Sequence, residues 1–78
     1  MTYFPHELNE EFPEYAGRIG VLKETDAHFH RLANEYQEIN KQIVLAEQEV
    51  QPTDDFHLED MRKLRLRLKD EIFGILRA

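Results

Sequence analysis

From Phe29 onward the apolar positions advance by three, four, three, four: Phe29, Leu32, Tyr36, Ile39, Ile43, Ala46 and Val50, with Glu, Gln, Lys and Asn between them. This is an a/d seam held for three heptads, and it predicts one amphipathic helix over about residues 26–50. At 1.5 Å per residue such a helix is ~37 Å long. Thr25 or Asp26 can cap its start, and Pro52 disfavours helical geometry at Gln51, which sets its end. QPTDD, residues 51–55, reads as a turn. Thr53, Asp54 or Asp55 can cap a second helix over about 56–77, and the acidic residues of its first turns suit its positive dipole end. Its apolar side carries Leu58, Met61, Leu64, Leu68, Ile72, Ile75 and Leu76.

Two long helices joined by about five residues fold back on each other. The expected fold is therefore all-α: an antiparallel two-helix hairpin, coiled-coil-like, preceded by a short N-terminal helix. Its expected core is Phe29, Leu32, Tyr36, Ile39, Ile43 and Val50 against Met61, Leu64, Leu68, Ile72 and Ile75. The first seam is narrow and fits one partner helix. On the second helix Leu66 and Phe73 lie seven apart, roughly 100° or more from the middle of the stripe. Three readings stand for that line: the N-terminal segment covers it, it forms a second interface, or it is simply exposed.

Upstream, FPHEL (4–8) is echoed by FPEYA (12–16). Pro13 is placed to open a short helix reaching about Lys23, with Tyr15, Ile19 and Leu22 on its apolar side and Gly17 and Gly20 weakening it. Residues 1–11 read as an arm with few constraints, its Tyr3 and Phe4 free to pack on the hairpin or on a neighbour, and 12–78 as the helical domain.

A chain of 78 residues with no cysteine has neither disulfides nor a thiolate metal site to staple it. A core of this size supplies only about 3–5 kcal/mol. Self-association, with a dimer favoured, or another protein partner is the expected source of further stability. A net charge of −6 argues against general nucleic-acid binding and anionic membranes. The N-terminus lacks the features of a signal peptide, so the expected location is cytoplasmic. The sequence contains neither serine nor cysteine, and its three glycines are scattered, so no serine or cysteine nucleophile and no phosphate-cradling loop is expected. An enzyme is not expected, nor is a cofactor.

Two features invite chemistry. HFH, residues 28–30, places two histidines side by side in sequence, but residues two apart on a helix point about 200° apart. His28 is expected at the margin of the seam and His30 in solvent, within reach of Asp26, and no metal is expected. The run MRKLRLRLK, residues 61–69, holds Arg62, Lys63, Arg65, Arg67 and Lys69. Residues 1–60 carry 14 acidic and 4 basic residues (−10), whereas 61–78 carry 2 acidic and 6 basic (+4). The run can pair with Glu35, Glu38, Glu47 and Glu49 across the hairpin, meet an acidic protein partner, or face nucleic-acid phosphates.

FPEY (12–15), Ile19 and Leu22-Lys23, followed by LRLKDEIFGIL (66–76), resemble the opening and close of the YdcH-type family of small bacterial proteins of unknown function. The resemblance covers residues 12–77 and implies a helical hairpin, without any activity, cofactor or catalytic residue to carry over. The expected function is that of a small non-enzymatic interaction protein, with Tyr3, Phe4, Leu66 and Phe73 as its candidate interface. The alternative is a nucleic-acid-associated accessory protein using residues 62–69.

Overall fold

The computed structural model describes residues 4–48 and 53–78, which fold into packed helices with no strand among them. In chain order these are α1 (Leu8–Glu11), a single 3₁₀ turn (Pro13–Tyr15), α2 (Ala16–Thr25), α3 (Ala27–Glu47) and α4 (Asp55–Leu76). Tyr3, Val50 and the first two residues of the expected turn, 51–52, lie outside the described residues.

Capping follows the acidic candidates. The Asp26 carboxylate accepts the Phe29 N–H at 3.1 Å, and Asp54 accepts the His57 N–H at 2.7 Å. Each satisfies one of the orphan donors that a helix start leaves. Asp26 is therefore engaged as a cap rather than paired with His30, and the Thr25 hydroxyl donates instead to the Val21 carbonyl at 2.9 Å. Pro13 opens a 3₁₀ turn, and the α-helix that follows runs on to Thr25, past the expected end at Lys23.

α3 packs chiefly against α4. Arg62 meets Glu47 and Arg65 meets Asn40, so residue numbers fall along α3 as they rise along α4. The expected seam is buried at Phe29, Leu32, Tyr36, Ile39 and Ile43, but so are Ala33, Asn40 and Val44. α3 thus presents a broad stripe rather than a narrow one, because it has a second partner on its other flank. On α4, Met61, Leu68, Ile72 and Leu76 are buried and Ile75 is half-buried. Leu64, expected in the core, is 37% exposed. It stands about 80° round the helix from fully buried Ile72, on the flank that the N-terminal segment does not reach.

That segment is the second partner. The sequence places few constraints on residues 1–11, yet in their described part Phe4 is half-buried and Leu8 is buried at the start of α1. Buried Phe12 stacks on Phe73 with ring centroids 5.4 Å apart and planes within 4°. Tyr15 meets the same ring edge-on at 6.4 Å, and the Arg77 guanidinium lies 5.5 Å from its centroid. Phe73 is therefore covered, and the line it shares with Leu66 is split: Leu66 remains 59% exposed. Offset aromatic pairs add about 0.5–1.5 kcal/mol beyond burial.

Two stability predictions follow from this packing. Phe12→Ala removes a buried ring from both the core and the Phe73 stack, and should cost about 3 kcal/mol in urea unfolding. A Cβ added at Gly20 would meet nothing within 4 Å. Gly20→Ala should therefore raise stability by about 0.5–1 kcal/mol, read as a higher thermal midpoint.

Candidate functional site

Among the described residues a polar clamp joins the N-terminal segment, α3 and α4. Tyr36 and Asn40 lie four residues apart, on one face of α3. The Tyr36 hydroxyl donates to the His6 carbonyl at 2.6 Å, and the Asn40 amide nitrogen donates to the preceding carbonyl, Pro5, at 2.8 Å. The Asn40 amide oxygen accepts from Arg65 Nη1 at 3.0 Å. Asn40 is fully buried and has both sides of its amide engaged, as burial of a polar group demands. His6 supports the path by adopting φ 66°, in the left-handed region that histidine enters more readily than most side chains.

Glu11 closes the clamp, accepting from Lys69 Nζ at 3.1 Å and meeting His6 Nδ1 at 3.3 Å. Partial burial works to raise the Glu11 pKa, but Lys69 and then His6 outweigh it and hold the carboxyl below its ordinary 4.5. Burial pushes the Tyr36 phenol up to about 12, with Glu11 and Glu7 adding to the rise and Arg65 opposing it. Both shifts favour the protonation states that the clamp uses at neutral pH. The arrangement is suited to holding chain segments together.

The basic run is largely engaged in this way. Arg62 bonds Glu47 at 3.0 Å and lies 3.5 Å from Glu59, Arg65 bonds Asn40, and Lys69 bonds Glu11 while lying 5.8 Å from the Phe12 ring centroid. Lys63 and Arg67 are exposed and make no ion pair within 4.0 Å among the described residues. Of the four acidic partners expected for the run, Glu47 meets it; Glu35 and Glu38 do not, and Glu49 lies outside the described residues.

His28 and His30 are both exposed. His30 Nδ1 donates to the Lys23 carbonyl at 3.1 Å, which leaves Nε2 to accept from the Asn34 amide at 3.0 Å. One neutral tautomer satisfies both bonds. His57 lines a shallow groove of about 440 Å³ with Lys41, Gln42, Leu45 and Met61. No group of three metal-ligating side chains occurs among the described residues.

Sequence reasoning placed Arg65 and Lys69 in a charged patch and Tyr36 in the apolar core, but it missed Asn40, Glu11 and Phe12 as their partners. The spacing held one signal: Ala33 and Asn40 are seven apart and each follows a seam residue by one, which widens the buried stripe.

The clamp makes two measurable predictions. Asn40→Ala should cost about 2 kcal/mol in urea unfolding, because it leaves the Pro5 carbonyl and Arg65 without their buried partner. Tyr36 has a folded-state pKa raised from 10 to about 12, so its contribution is complete below pH 10 and is lost as pH rises toward 12. The stability difference between wild type and Tyr36→Phe should shrink over that window. Glu11 behaves oppositely, because its folded-state pKa is lowered: its contribution is present above pH 4.5 and is lost as pH falls through the folded value. Unfolding of Glu11→Gln alongside wild type should show that acid-side loss only in wild type.

A family model described as "Protein of unknown function (DUF465)" matches residues 29–76, which span nearly all of α3 and α4. No curated protein and no solved structure matches the chain. The match takes in the closing LRLKDEIFGIL motif and leaves out FPEY, Ile19 and Leu22-Lys23; the resemblance to the YdcH-type proteins is consistent with it. By this match over more than half its length, the chain belongs to the DUF465 family of proteins of unknown function.

Proposed function

We propose that this is a small, non-enzymatic, cytoplasmic interaction protein. Its α3 and α4 form an antiparallel hairpin, and it acts through helix surfaces, first of all by associating with itself. The observation that carries this reading is on α4: Phe56 is 87% exposed and Leu66 59% exposed, although neither supports the fold. Val21 on α2 is 60% exposed as well. A small core with apolar side chains left in water gains from a partner that covers them. The falling and rising order of the α3–α4 cross-links supports the antiparallel arrangement. Among the described residues no helix is long and apolar enough to cross a membrane.

The alternative, nucleic-acid binding through residues 62–69, draws less support. Arg62, Arg65 and Lys69 are turned to Glu47, Asn40 and Glu11, which leaves Lys63 and Arg67 for phosphates. Sedimentation equilibrium from low to high micromolar concentration tests the proposal. The expected result is a reversible dimer, and a monomer throughout would overturn self-association.

A further inference from the structure

α4 turns one side to the core and the opposite side to solvent. At roughly 100° per residue, Glu59, Lys63, Asp70 and Arg77 fall within about 40° of one another on the outward side, with Leu66 and Phe56 at its edges. All six are exposed. Glu59 has Arg62 beside it and Arg77 lies over Phe73, but Lys63 and Asp70 make no ion pair within 4.0 Å among the described residues. They carry opposite charges, lie seven residues apart, and flank Leu66 along the helix.

From this face we infer that α4 is the seat of a second copy of the chain, packed antiparallel about a two-fold axis beside Leu66. The inference rests on the self-association reading and supplies its surface. With that axis midway between Leu66 and Arg67, each residue before it faces one an equal distance beyond it, and every contact occurs twice. Lys63 then faces Asp70 of the second copy, and Asp70 faces its Lys63. The two Leu66 side chains meet across the axis, and each Phe56 ring comes beside Arg77 of the other copy, a pairing that ring quadrupole and guanidinium favour. A parallel arrangement sets Lys63 against Lys63 and Asp70 against Asp70, so the charges select the antiparallel one. Arg67 lies about 100° round from Leu66 and points to the rim.

Net charge selects the same helix. The chain as a whole carries −6, but α4 holds five acidic and five basic residues and is neutral. Two copies that meet through α4 approach on the part of each molecule that adds nothing to its net charge.

The absence of cysteine makes the test direct. Leu66→Cys should oxidise to a disulfide-linked dimer much faster than Val21→Cys, a thiol of equal exposure on α2. Lys63→Glu and Asp70→Lys should each weaken the dimer about tenfold, since each turns two attractions into repulsions. The double variant Lys63→Glu with Asp70→Lys should restore it, and helical circular dichroism should be unchanged in all three. A wild-type dimer that ignores the single reversals, with Leu66→Cys cross-linking no faster than Val21→Cys, overturns this surface and leaves self-association standing. A monomeric wild type removes both.

Discussion

The fold depends on one buried amide. Asn40 sits in the middle of α3 with no exposed surface, donates to a carbonyl of the N-terminal segment and accepts from an arginine of α4. An asparagine amide is the side chain suited to this, since it offers a donor and an acceptor on one planar group without a charge to desolvate. Aspartate would give up the donor, and leucine both. Because the two bonds leave in different directions, the amide fixes where two segments lie against α3. Tyr36, one turn earlier, repeats the contact at the next carbonyl.

That arrangement changes the meaning of the basic run. In sequence it looks like a positive patch on an acidic chain, the kind of asymmetry that suggests a polyanionic ligand. In the structure three of its charges are turned to groups of the same chain: Glu47 near the end of α3, Asn40 in the middle, and Glu11 on the N-terminal segment. The two partly exposed ion pairs among these, with Glu47 and Glu11, add little stability. Their effect is on register, because each fixes a different point along α4 against its neighbours. Part of the charge asymmetry in the sequence is therefore an internal matching of the basic run to acidic residues of other segments.

The α3–α4 pair was legible because periodicity reports burial against a regular partner. Phe29, Leu32, Tyr36, Ile39 and Ile43 recur in helical steps and are buried, and acidic residues stand at both helix starts where caps are needed. The N-terminal segment was not legible in the same way. It is held by side-chain bonds to backbone carbonyls 30 and 35 residues away and by the Phe12–Phe73 stack, and neither leaves a period in the sequence. Ala33 and Val44 were passed over because small or solitary apolar residues beside a regular seam add little to the pattern, although both are buried. Leu64 failed for the converse reason: its spacing fits the stripe, but burial needs something on the far side, and the covering segment lies on the other flank.

Pro5 and His6 are recognised through their carbonyl oxygens, which every residue has. What the clamp demands at these two positions is first of all a route for the main chain, including one left-handed turn at His6, where the exposed imidazole also meets Glu11. A requirement of that kind is invisible to any method that aligns letters, and the family match begins at Phe29, beyond it. The part of the molecule that completes the core can therefore diverge in sequence at these positions while keeping its shape, and related chains are to be sought there by the course of the backbone.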